Sequence, residues 1–199
     1  LLSGADVDLA GALQANAIQA TAAGSMALGA LTSATTIALT AKGSPTAAVG
    51  GPGDVTLNGA IASPGAFTVQ AARDATVYGA LACGASCSVT AGRNVMLASA
   101  LTASSDVSLS ALAGNLTTTT ASTVGGALNA SAGANVTFGA ALTVAGNINA
   151  TAGGALTISG PMTGQGNGSL AAGTDVTGAG ALSFGNAVTI NAGHDTALT

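Results

Sequence analysis

The stretch Ala91–Gly114, AGRNVMLASALTASSDVSLSALAG, decides how the chain folds. It holds two apolar-x-apolar triplets, Val95-Met96-Leu97 and Val107-Ser108-Leu109, with Ala100-Leu101-Thr102-Ala103 between them. Three short segments of period two therefore fit within about twenty residues.

The unit recurs in both directions. The place of Val95 is filled by Val7, Met26, Val55, Ala75, Leu116, Val136, Ala155, Val176 and Thr196, and the successive intervals along the whole column are 19, 29, 20, 20, 21, 20, 19, 21 and 20 residues. The third segment repeats in step through Ile18, Ile37, Phe67, Cys87, Val107, Leu128, Ile148, Gly168 and Val188. A fixed period of this size is the mark of a repeat architecture, so residues 1–199 are expected to form a single repeat body with no internal domain boundary. The longest interval is accounted for by residues 42–53, KGSPTAAVGGPG, which carry two of the four prolines and read as an inserted loop. Because the pattern starts and stops within a repeat, the segment is expected to be a fragment of a longer chain.

Composition supports strands. Charged residues make up 5% of the 199, and the acidic ones are all Asp. With Glu absent and Lys, Arg and Gln scarce, little favours helix, while β-branched residues are plentiful. The mean hydropathy of +0.60 reflects alanine. No apolar run approaches the length of a membrane-spanning helix, since Gly, Ser, Thr or Asn interrupts every few positions. The net charge is -4, and Lys42, Arg73 and Arg93 are too few to neutralise a run of phosphates, which argues against nucleic acid and acidic membranes as partners. No basic region, apolar core and cleavage site is present in the first residues given, so no export signal is expected within this stretch.

Two residue types mark the corner before the first triplet. An Asp or Asn precedes it at Asp6, Asp54, Asp74, Asn94, Asn115, Asn135, Asp175 and Asp195, and Gly lies two residues earlier at Gly92, Gly133, Gly153, Gly173 and Gly193. Gly at positive φ and an Asx side chain bonded to nearby backbone would together build a turn, so this ladder is read as structural. The triplet centres, among them Thr56, Thr76, Met96, Thr117, Thr137, Thr157 and Thr177, should face solvent while their flanks face inward. Pro64 should lie in the turn between the second and third segments. Phe67, Phe138 and Phe184 fall on inward positions.

One repeat cannot bury its own apolar face, but wound into a triangular turn it sets each strand beside the same strand of the next turn. Parallel crossovers are right-handed in nearly all cases, so the predicted fold is an all-β, right-handed parallel β-helix of about nine to ten turns, roughly 20 residues per turn and three short strands per turn. A leucine-rich-repeat horseshoe has a similar period, yet it requires a helical return for which no pattern is present.

The motif A-G-x-[DN]-V-x-L, as in Ala91–Leu97 and, ending in Phe, Ala132–Phe138, followed by A-L-T-A and V-x-L-x-A, resembles the repeats of the filamentous haemagglutinin family. The resemblance covers the chain apart from residues 42–53. It implies a stalk segment of a secreted or surface-exposed adhesin of a Gram-negative bacterium, exported through an outer-membrane partner transporter. It further implies packing against neighbouring repeats, and a host-cell receptor bound elsewhere in the parent protein. Related stalks carry contact-dependent toxins. The family's secretion module is not visible here, and Arg-Gly-Asp is replaced by Ala72-Arg73-Asp74. A flat-faced binding solenoid, such as an ice-binding protein, stays open as an alternative. A polysaccharide-degrading β-helix would need a cluster of carboxylates and bases that seven dispersed Asp residues do not supply.

Sites of chemistry are scarce. His194 has neither an oriented carboxylate nor a nucleophile to serve, and reads as a turn residue in the place held elsewhere by Arg73 and Arg93. Stacking would set Asp54 beside Asp74 and Asp175 beside Asp195, but two carboxylates without the G-G-x-G-x-D nonapeptide fall short of a Ca²⁺ site. No catalytic residue, cofactor or metal is expected. The N-x-[ST] strings at Asn115, Asn129, Asn135, Asn149 and Asn167 are what a chain rich in Asn, Ser and Thr produces by chance. Cys83 and Cys87 take the inward places of Ala103 and Val107, and in an exported chain they are expected to form a disulfide.

Overall fold

A computed structural model describes residues 2–43 and 52–199. The chain winds as a β-solenoid of parallel strands, and the described residues contain no helix. One turn runs through three strands, Val95–Leu97, Leu101–Ala103 and Val107–Ala111, which belong respectively to sheets I, II and III. Sheets I and III each have ten strands and sheet II has nine. The core of residues 44–51 lies outside the described residues, so the loop expected at 42–53 is seen only at its two ends. The sheets continue across it without a slip: Met26 pairs with Val55 and Ile37 with Phe67.

Alternation sets the faces. In Val107–Ala111 the side chains of Val107, Leu109 and Ala111 are buried, while Ser108 is exposed and Ser110 is partly so. The interior is a triangular column of Val, Leu, Ile and Ala, with Phe67 and Phe138 fully inside and Phe184 packed against its last turns. Each of these residues stacks on its counterpart one turn away, as Val95 does between Ala75 and Leu116. Burial of apolar area turn upon turn stabilises the coil, since no single turn encloses a core of its own. Pro64 lies, as expected, between the strands Ile61–Ser63 and Phe67–Ala71.

Two expectations are corrected. Leu156, not Ala155, takes the place of Val95, pairing with Val136 on one side and Val176 on the other. A one-residue slip exchanges the two faces, and Leu156 with Ile158 buries far more apolar surface than Ala155 with Thr157 would. Ala155 instead fills the Asx column. The corner glycines Gly133, Gly153, Gly173 and Gly193 do not adopt positive φ; among the described residues only Gly53 does, at 113°. What they supply is room: a Cβ on Gly133 would strike the Leu112 carbonyl, and one on Gly153 the Gly133 carbonyl of the turn before.

Candidate functional site

The polar side chains of this protein concentrate at the corners. At the corner from sheet III to sheet I, the Asx column forms a ladder that runs along the axis. Asp54 Oδ1 accepts the Asp74 N–H at 3.1 Å, Asp74 Oδ1 accepts the Asn94 N–H at 3.1 Å, and Asn94 Oδ1 accepts the Asn115 N–H at 2.9 Å. Asn115 and Asn135 continue it to Asn135 and Ala155, and Asp175 Oδ1 accepts from Asp195 at 3.1 Å. The expected local Asx turn is therefore replaced by bonds between turns, about twenty residues apart in sequence. The change has a steric logic. Stacked extended corners turn each N–H along the axis toward the previous turn, where only a side-chain oxygen is within reach. Ala155 has no such oxygen, and the ladder breaks there.

A second ladder stands at the corner from sheet II to sheet III. Asp106 Oδ1 accepts the Ala127 N–H at 2.7 Å and Asn147 Oδ1 the Asn167 N–H at 2.8 Å. The sequence signal existed, an Asx immediately before the third segment, but Ala66, Ser86, Ala127 and Ala187 interrupt it.

Both arginines reach back along the first ladder. Arg73 Nε donates to Asp54 Oδ1 at 2.6 Å and its second nitrogen to Asp54 Oδ2, while Arg93 does the same to Asp74, with Nε at 3.0 Å. The Arg73 side chain is fully covered and also lies 3.7 Å from Asp74. The hydrogen bond to Asp54 raises the Arg73 pKa further, against burial, so the guanidinium stays charged. For Asp74, burial is the largest influence and acts upward. The bonds from Arg93 and from the Asn94 backbone and amide outweigh it, together with the Arg93 charge, and hold the carboxyl below its usual range. His194 repeats the arrangement loosely, with Nδ1 at 4.0 Å from Asp175 Oδ1 and its side chain 68% exposed. The carboxylates considered for Ca²⁺ at Asp54 and Asp74 thus face guanidinium groups. Among the described residues no group of three His, Cys, Asp or Glu side chains converges.

The Arg73–Asp54 pair adjoins the base of the insertion, which further bonds hold in place. The Arg73 N–H donates to the Gly53 carbonyl at 3.0 Å, and the Ser25 hydroxyl accepts from Gly53 and Asp54, each at 3.2 Å. Gly43 and Pro52 meet so closely that a Cβ on Gly43 would overlap the Pro52 carbonyl group.

Cys83 and Cys87 are both buried and free, so the expected bond is not formed in this structure. The outer faces carry columns of hydroxyls and amides in register. Thr117, Thr137, Thr157 and Thr177 follow one another on sheet I, and Thr102, Thr123, Thr143 and Thr163 on sheet II. Asn149 donates to Asn129 at 2.9 Å on sheet III. Where Ala62 and Ala82 replace threonine on sheet II, an open groove of about 320 Å³ remains, edged by Pro64, Gly84 and Thr102, with no charged side chain along it. Compared with protein-family models, with curated proteins and with solved structures, the chain matches none.

Proposed function

We propose that this chain is a rod segment of a filamentous, surface-exposed or secreted bacterial adhesin of the haemagglutinin-repeat kind, holding distal adhesive or effector regions away from the cell. The observation that carries the reading is the unbroken parallel register of three sheets through every described turn, including across the insertion. Its polar groups serve the same end, for both arginines and most Asx side chains bind one turn to the next. Such a body resists bending and sets a fixed length, about 45 Å for nine to ten turns at ~4.8 Å each. On this reading the neighbouring repeats are its principal partners, an outer-membrane transporter exports the parent protein, and receptor binding belongs to other parts of it.

The test is a length measurement. The segment is placed between a cell-surface anchor and a fluorescent epitope, and energy transfer to a membrane dye reports the epitope's height. Removal of whole turns should lower the epitope in steps of ~4.8 Å per turn. Height that does not change with turn number would refute the spacer role.

The in-register threonine columns on sheets I and II favour a second reading, recognition of a regular surface such as ice. Inhibition of ice recrystallisation by the protein, abolished by Thr137→Leu, would support it over the rod.

A further inference from the structure

We propose that Cys83 and Cys87 are a structural disulfide site whose redox state is set while the solenoid winds and is sealed by the turns that stack on it. This stands independently of the rod reading. Cys83 ends the sheet II strand Leu81–Cys83 and Cys87 begins the sheet III strand Cys87–Ala91, with only Gly84-Ala85-Ser86 between them. Alternation points both side chains to the interior, where they are 3% and 1% exposed. Both therefore point into the interior at the same corner, with three residues between them along the chain.

The neighbouring turns close the pair from both sides. Cys83 lies between Ser63 and Ala103, and Cys87 between Phe67 and Val107. The backbone is tied in the same way: Gly84 N–H donates to Ser63 O at 2.7 Å, Ser104 N–H to Cys83 O at 2.9 Å, and Cys87 N–H to Asp106 O at 3.0 Å. A soluble oxidant or reductant must attack a sulfur in line, and even beside the sheet II groove that Cys83 lines, residues only 3% and 1% exposed offer it little surface while the turns are stacked. The neighbouring Cys83 side chain and burial also push the Cys87 pKa up, which disfavours its thiolate, the form that starts exchange. Before the turns stack, the three-residue link keeps the thiols close and the sulfurs open. A small-molecule disulfide then reacts in two steps. One cysteine thiolate attacks it, releasing one thiol and forming a mixed disulfide. The second cysteine thiolate attacks the protein sulfur of that bond, releasing the other thiol. The sum converts one external disulfide and two protein thiols into one protein disulfide and two external thiols.

The experiment refolds the whole chain from denaturant in parallel, with oxidised glutathione or with a reducing dithiol. Each folded product is then challenged with the opposite reagent, and thiols are counted after unfolding. Oxidative refolding should leave no thiols and a monomer of unchanged sequence mass less two hydrogens, and the folded protein should keep that state against the dithiol. Reductive refolding should leave both thiols, untouched by glutathione for far longer than in the unfolded chain. Cys83→Ser, which repeats the side chain of Ser63 in that column, should fold and melt at the same temperature from either refolding, whereas the oxidised wild type should melt several degrees above the reduced. Two thiols, two glutathione adducts or a covalent dimer after oxidative refolding would overturn the site. Thiol counts that follow the reagent as quickly in the folded as in the unfolded protein would overturn the sealing.

Discussion

Gly168 and Phe184 share one space. A Cβ built on Gly168 would lie 2.5 Å from Phe184 Cε1, so the ring, rising from the turn beyond, occupies the volume that Ile148 and Val188 fill in their own turns of that column. Gly164 deepens the recess, with its hypothetical Cβ 3.0 Å from Phe184 Cδ1. Gly168→Val, though it restores the repeat's usual residue, should therefore destabilise the protein by about 1–3 kcal/mol through overpacking. Combined with Phe184→Ala it should cost less than the two single changes added together, by roughly 0.5–3 kcal/mol of coupling. Additive unfolding free energies in the four-member cycle would show that the two positions are not complementary.

The inter-turn ladder makes a prediction of opposite sign at its gap. Ala155→Asn supplies the missing oxygen one turn below the Asp175 N–H, in the geometry by which Asn94 serves Asn115. It should raise stability by about 0.5–1.5 kcal/mol, the usual net value of a hydrogen bond. Asn115→Ala removes the acceptor of both the Asn135 N–H and the Asn135 amide and should lower stability by a similar amount. Chemical denaturation of the two variants distinguishes this from a local turn role, in which a loss at position 115 would have no counterpart gain at position 155.

These ladders also show where sequence reading stops. The period, the strands and the inward faces were legible because alternation and a twenty-residue repeat constrain every position at once. The Ala155 error arose where two overlapping triplets, Ala155-Leu156-Thr157 and Leu156-Thr157-Ile158, compete and only the neighbouring turns decide. The column of Asp54, Asp74, Asn94, Asn115, Asn135, Asp175 and Asp195 was visible, but not its direction, since an Asx pattern is the same whether the side chain bonds its own turn or the next. Positive φ was inferred for the corner glycines because that is glycine's commonest use. Close approach of a second backbone leaves an identical mark in the sequence.

Asp74 makes part of the stability depend on pH. Its folded pKa is depressed below the ordinary value of 3.8, so the unfolded chain takes up the proton first as pH falls. The contribution is fully present above that ordinary value and is lost as pH drops through the folded pKa. Asp74→Asn keeps an oxygen for the Asn94 N–H but loses the charge that faces Arg93. It should cost up to about 1 kcal/mol at neutral pH, for a pair that is partly solvated. As pH drops through the folded pKa the variant and the wild type should converge. Denaturant midpoints measured from neutral to acid pH would decide, and parallel curves would mean that Asp74 is not linked to folding.

The turn from Leu116 to Ala132 places polar groups where its neighbours are apolar. Thr118 pairs with Leu97 and Phe138, and Ser122 with Leu101 and Leu142, yet both are buried. The Ser122 hydroxyl reaches the Thr120 carbonyl at 3.4 Å, but the buried Thr120 hydroxyl has no hydrogen-bond partner among the described residues. Leaving such a group unpaired costs about 1–3 kcal/mol, whereas Val has nearly the same shape as Thr and nothing to desolvate. Thr120→Val should therefore stabilise the solenoid by ~1 kcal/mol or more, with no change in the shape of the corner. Thr119→Val, one residue earlier and exposed, is the control and should stay within about 0.5 kcal/mol of wild type. If Thr120→Val instead destabilises, the hydroxyl is bonded in solution, and a water molecule held inside this corner becomes part of the fold.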